Sequence, residues 1–124
     1  MIVACLAWTA GCDDASKQAP RPVATQSGAL TATTPKEYFA MRCAGCHGAQ
    51  GRGDGPSAAT LSPKPRNFAD REWQRTVTDE QIRTIVVKGG LGVGKNPIMP
   101  GNEELLGAPQ ILDGLVLEIR GFGR

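Results

Sequence analysis

The chain has 124 residues and a formal charge of +2, from 14 basic and 12 acidic residues. That length allows one small domain, and the balanced charge excludes the basic patch or stripe that marks a nucleic-acid binder. Aromatics make up only 5%, while Gly numbers 16 and Pro 9, which excludes a long coiled coil and an aromatic-rich strand sandwich. No apolar run reaches the roughly 18 residues that suggest a spanning helix.

Residues 1–11, MIVACLAWTAG, carry no charge and are mostly apolar, as in the apolar region of a secretory signal peptide. Ala10-Gly11-Cys12 resembles the end of a bacterial lipobox, in which the cysteine is lipidated and becomes the new N-terminus. The alternative is an ordinary cleaved signal with an incidental cysteine. The absence of Lys or Arg ahead of the apolar run points to a start codon further upstream. Residues 12–33 are rich in Ala, Ser, Thr, Pro and Gln without an apolar period. Such a segment cannot bury enough surface to offset its ordering entropy, and it reads as a flexible linker.

The folded domain is expected over 34–124. Thr34-Pro35-Lys36-Glu37 combines a capping box with proline in the first turn and predicts a helix through Tyr38, Phe39 and Met41 into Cys43. Thr78-Asp79-Glu80-Gln81 repeats the capping-box spacing, with Val77 and Ile82 placed as a hydrophobic staple. Ile82, Ile85 and Val86 then form one apolar stripe, and Gly89-Gly90 ends that helix. A third helix is predicted over about Pro109 to Arg120, with Ile111, Leu112, Leu115, Val116 and Ile119 on one face. No stretch alternates like a strand. The fold class is all-α, with three main helices and long loops. Loops of that length in a small domain imply something to wrap around, and a large flat ligand would explain them.

Cys43-Ala44-Gly45-Cys46-His47 is C-x-x-C-H, the attachment signature of haem c. Two thiols at this spacing add to the two porphyrin vinyl groups, and the next residue offers an imidazole to the iron. His47, the only histidine, is the expected proximal ligand through Nε2. A zinc site needs about four protein ligands, more than the mature chain offers. A thioredoxin-like dithiol follows a strand, and none precedes Cys43. A disulfide between these cysteines is the remaining alternative.

With no second histidine, a methionine thioether is the natural distal ligand. Met1 lies in the leader, and Met41 stands two residues before Cys43 on the same helix. Met99, in Asn96-Pro97-Ile98-Met99-Pro100-Gly101, is left as the candidate. Core filling is the competing role for an isolated methionine.

These elements together resemble a class I monohaem cytochrome c over about residues 34–122. They are the helix into CAGCH, GAQGRGDGP, LSPKPRNF, TDEQIRTIVVKGG, the IMP loop and the closing helix. The resemblance is especially to bacterial single-haem domains, including those in c-type subunits of terminal oxidases. It implies a small cytochrome c fold around one covalent haem, with the first and last helices crossing and Phe39 against Leu115, Val116 or Ile119. It also implies that the His47 ring donates its other N–H to the Pro56 carbonyl.

Two further haem contacts are open. Arg66 is suited to a propionate or is a solvated loop charge. Trp73 can donate its indole N–H to the same group or is a half-buried core residue. Gly89-Gly90-Leu91-Gly92-Val93-Gly94-Lys95 resembles a phosphate loop but lacks the following Ser or Thr and follows a helix. Arg52-Gly53-Asp54 spells an adhesion tripeptide inside a Gly-rich loop.

The expected function is periplasmic electron transfer by one haem c, attached through Cys43 and Cys46, with His47 and Met99 as axial ligands. No catalytic base or nucleophile stands out, so the reading is a carrier and not an enzyme. The alternatives are a haem whose iron binds a small ligand, as in a gas sensor or carrier, and a haem subunit of an oxidase or dehydrogenase. The expected partners are redox proteins and, through a lipid anchor at Cys12, a membrane surface.

Overall fold

The computed structural model describes Ala32 and residues 34–124. The predicted leader and all of the predicted linker except Ala32 lie outside the described residues. Ala32 is buried in the core. The described chain forms five α-helices: α1 (Pro35–Tyr38), α2 (Ala44–His47), α3 (Arg71–Thr76), α4 (Asp79–Gly92) and α5 (Pro109–Gly121). A π-helical turn, Phe39–Cys43, joins α1 to α2 without a break, and Ala58–Thr60 and Glu103–Gly107 are 3-10 turns. There is no strand among the described residues, and the fold is all-α.

Both predicted helix starts are capped as their sequences require. The Thr34 hydroxyl accepts from the Glu37 N–H at 3.2 Å, and the Glu37 carboxylate accepts from the Thr34 N–H at 3.0 Å. Thr78 and Gln81 repeat the exchange at 3.1 and 2.9 Å. Each box satisfies two orphan N–H donors of a helix N-terminus.

The first helix was expected to run straight into Cys43. Its π turn admits one extra residue, which rotates everything after it by about 100° against a regular helix. Cys46 and His47 therefore present a different face from the one regular spacing gives.

The core lies between α1, α4 and α5. The α5 face Ile111, Leu112, Leu115, Val116 and Ile119 is buried as predicted. From α4 come Ile82, Val86 and Val87; Ile85 is only half-buried and lines a cleft. α1 crosses α5, as expected. Phe39 belongs to the same core cluster as Leu115, Val116 and Ile119, and its ring packs on Phe122 with centroids 5.1 Å apart. Gly114 faces Pro35 so closely that an added Cβ would stand 2.8 Å from Pro35 Cβ and overlap its Cγ.

α3 is an element sequence periodicity missed, because its six residues are too few to show a period. Its signal was Asp70, whose carboxylate caps the Glu72 and Trp73 amides at 2.9 and 3.3 Å. Arg120 of α5 secures the α3–α4 junction. Its guanidinium reaches the Gln74 carbonyl (2.7 Å), the Val77 carbonyl (2.8 Å) and the Asp79 carboxylate (2.8 Å).

One polar group sits deep in this core. Tyr38 is 1% exposed, and its hydroxyl lies 2.9 Å from Asn102 Oδ1 and 2.7 Å from Glu104 Oε1. Burial, and then the Glu104 carboxylate, push its pKa well above the ordinary tyrosine value; Arg42 acts the other way. A raised folded-state value contributes stability that is complete below the unfolded pKa, about 10, and is lost as pH rises beyond it. Urea unfolding from pH 9 to 11 should therefore lose stability more steeply in the wild type than in Tyr38→Phe. Equal slopes would remove Tyr38 as a source of alkaline sensitivity.

Candidate functional site

The C-x-x-C-H residues occupy the end of the π turn and all of α2. A helix end leaves four carbonyls without intrahelical donors, and the following loop supplies one for each. Gly48 N–H donates to Ala44 (2.9 Å), Ser57 to Gly45 (2.9 Å), Gly55 to Cys46 (3.1 Å) and Gly53 to His47 (2.8 Å). The Gly-rich loop predicted from sequence is thus folded back beneath the motif, and it fixes the motif backbone residue by residue.

His47 is 8% exposed. Its Nδ1 lies 3.0 Å from the Arg66 carbonyl oxygen. A carbonyl only accepts, so the ring proton sits on Nδ1 and the Nε2 lone pair is left for a metal. Burial lowers the imidazole pKa, and the Arg66 bond opposes that shift. The expected partner was the Pro56 carbonyl, and the structure assigns this role to Arg66 instead. Pro56 follows Gly55, which is already spent on capping α2, whereas the chain returns past His47 at Arg66. There the Phe68 N–H donates to Gly51 O at 2.7 Å and holds the return in place.

The imidazole has an aromatic wall. Phe68 stacks on it with centroids 4.4 Å apart and 14° between planes. Phe39, Phe122 and Trp73 surround Phe68 at 6.4, 6.3 and 5.5 Å. All three phenylalanines of this aromatic-poor chain thus converge behind one histidine. Sequence spacing gave no sign of this, since the three come from separate segments.

Cys43 and Cys46 are free thiols, both half-buried. Burial is the largest influence on Cys43 and pushes its thiol up to about 11. A cleft of about 550 Å³ opens between α3 and α4, with Trp73, Val77, Gln81, Ile85, Val93 and Lys95 among its lining residues. Cys43, Cys46, His47 and Met99 are not among its lining residues. Trp73 joins the cleft to the wall behind His47 through Phe68.

Met99 is half-buried in the loop after α4. Gly89 breaks the helix with φ +68° and ψ −178°, at the glycine pair predicted to end it. The Gly90 N–H then donates to the Met99 carbonyl at 2.9 Å, and the Asn102 N–H to Val87 O at 2.8 Å. Met99 is thus pinned through its own carbonyl and again three residues later. Met41, the other methionine of the domain, is 60% exposed on the π turn.

The Arg66 side chain is half-exposed; it lies 3.8 Å from Asp70 and 5.9 Å from the Trp73 ring centroid. Its backbone does more for the site than its charge, because the carbonyl orients His47. The stretch resembling a phosphate loop is the kinked end of α4 and the turn after it, with no strand before it.

These residues fit a haem c. Two thiols at the required spacing precede an imidazole whose free nitrogen is a metal ligand, backed by an aromatic wall. A comparison with protein-family models matches the chain to cytochrome c over residues 32–113. Comparison with curated proteins gives no match, and comparison with solved structures gives none. The match covers well over half of the sequence and includes the motif, the His47 anchor and the Met99 loop, so the chain belongs to the cytochrome c family, with a covalent haem c held by Cys43 and Cys46.

Proposed function

We propose that the protein is a periplasmic electron carrier in which His47 and Met99 are the two axial ligands. The observation that carries this reading is the His47 tautomer. A proton committed to the Arg66 carbonyl at 3.0 Å leaves Nε2 as the donor, in a ring that cannot turn without losing that bond. The Met99 loop supports it, because the Gly90 bond to the Met99 carbonyl and the Asn102 bond to Val87 fix the backbone that carries the thioether. When bound, the haem supplies a one-electron couple, and a thioether ligand raises its potential. The chain's own part is to keep both ligands fixed, so that little rearranges between oxidation states, and to exclude water with the wall of Phe39, Phe68 and Phe122.

The test is an optical spectrum of the matured protein, oxidised, reduced, and reduced under carbon monoxide. Low-spin bands, a Met-to-iron band in the oxidised form and no response to carbon monoxide are expected. Met99→Ala should lose the band and bind carbon monoxide. A wild type that binds carbon monoxide readily would overturn the closed site and favour a ligand-binding haem.

The location rests on sequence alone. The uncharged apolar leader and Ala10-Gly11-Cys12 support export and lipid attachment at Cys12, with redox proteins as partners along the membrane surface. Cys12→Ser should move the protein from the membrane fraction to the soluble periplasmic fraction. Retention of the variant in the membrane would count against an anchor at that residue.

A further inference from the structure

The loop Met99–Asn102 is tied to more than α4. The Asn102 side chain is 6% exposed, and its Nδ2 donates to Val86 O at 2.8 Å. Its backbone N–H is shared between Val86 O (3.1 Å) and Val87 O (2.8 Å). These bonds turn the Asn102 donors toward α4 and leave Oδ1 as an acceptor in a buried place. Tyr38 fills that need from the other side of the core at 2.9 Å, across 64 residues of sequence. Tyr38 ends α1, on the same continuous helix as Cys43, Cys46 and His47. Glu104 shares the hydroxyl at 2.7 Å, and Arg42 lies 3.7 Å from that carboxylate. The hydroxyl carries one proton, so Asn102 Oδ1 and the Glu104 carboxylate hold it as a three-centre bond, and removing it leaves the buried Oδ1 to bear a desolvation penalty.

We infer that Tyr38 is a positioning residue for Met99. Its hydroxyl, through Asn102, ties the loop that presents the thioether to the helix that carries the thiols and the imidazole. This inference rests on Met99 being the distal ligand. If the loop swings away from the iron, the Tyr38–Asn102 bond is strained or broken. A small ligand that displaces Met99 works against it.

The experiment uses the matured full chain in the ferric state, titrated with imidazole while the Met-to-iron band is followed. Tyr38→Phe keeps the ring and its packing and removes only the hydroxyl. Imidazole should bind this variant about tenfold more tightly than wild type, equivalent to about 1.4 kcal/mol. Asn102→Ala should give at least that gain, because it also removes the Nδ2–Val86 bond, and adding Tyr38→Phe to Asn102→Ala should change little, because the Tyr38–Asn102 link is already gone. Val116→Ala, in the α5 face of the core, is the control. It should lower the urea midpoint yet leave the imidazole affinity within twofold. Wild-type affinity in Tyr38→Phe, or an equal gain in Val116→Ala, would overturn the positioning role while leaving Met99 as ligand. A wild type with no Met-to-iron band would overturn both readings, and the band's absence distinguishes that case.

Discussion

Gly114→Val is expected to be strongly destabilising, although it replaces a glycine inside a helix. A helix interior normally gains from losing a glycine, by about 1 kcal/mol for alanine. Here the sign reverses. Any Cβ at Gly114 overlaps Pro35 Cγ and stands 2.8 Å from Pro35 Cβ. The proline ring cannot rotate aside, and the Thr34–Glu37 capping box fixes it from both flanks. The helices must separate, and that opens the layer in which Leu115, Val116, Tyr38 and Phe39 are each nearly inaccessible to solvent. Overpacking of this kind costs typically 1–3 kcal/mol. Gly114→Ala should therefore be destabilised by up to about 2 kcal/mol net, and Gly114→Val by about 3 or more. Urea unfolding of the two variants checks both values. A stabilised Gly114→Ala would mean that the crossing relaxes freely and that the close approach of α1 to α5 sets nothing.

The second large effect belongs to Gly90→Ala, and it should appear in the site before it appears in the fold. A Cβ there overlaps the Asn96 carbonyl oxygen and lies 2.9 Å from the carbonyl carbon. Gly90 also donates to Met99 O at 2.9 Å and accepts from Lys95 N–H at 2.8 Å. The methyl group pushes residues 95–99 off the end of α4 and breaks the bonds that hold Met99. The spectrum should lose the Met-to-iron band at neutral pH, and imidazole affinity should rise about a hundredfold, roughly 2.7 kcal/mol. Ile82, Val86 and the α5 face lie on the other side of the kink, so the helical content should stay near that of the wild type. An intact band in Gly90→Ala would show that the Gly90 contact does not set the position of Met99.

The parts of this molecule that were legible in sequence are those whose physics is local. Capping boxes are readable because both partners lie within four residues, and both formed as spelled. The α5 face was readable because aliphatic residues repeat with helical period, and C-x-x-C-H because covalent attachment fixes its spacing. Gly89 was readable as a stop because a φ of +68° suits glycine. The remainder depends on where the chain returns. Arg66, in place of Pro56, orients His47 from 19 residues away, and Phe39, Phe68 and Phe122 meet only after α1 and α5 have crossed. Tyr38 looked like one more helical aromatic until Asn102 was placed against it. The π turn leaves no trace in apolar periodicity, since it shifts the register by a single residue. α3 did leave one, in the Asp70 cap, but a cap without a period is weak evidence for a helix.

The four amide bonds beneath α2 span short stretches of chain, the longest from Gly45 to Ser57. Closing loops of that size costs little chain entropy, and the cost grows only slowly with length. Residues 44–57 are thus joined by local contacts, whereas the α1–α5 crossing and the Tyr38–Asn102 link join distant parts of the sequence. Closing the loop beneath the motif is therefore a smaller entropic cost than that of bringing α1 and α5 together across most of the domain.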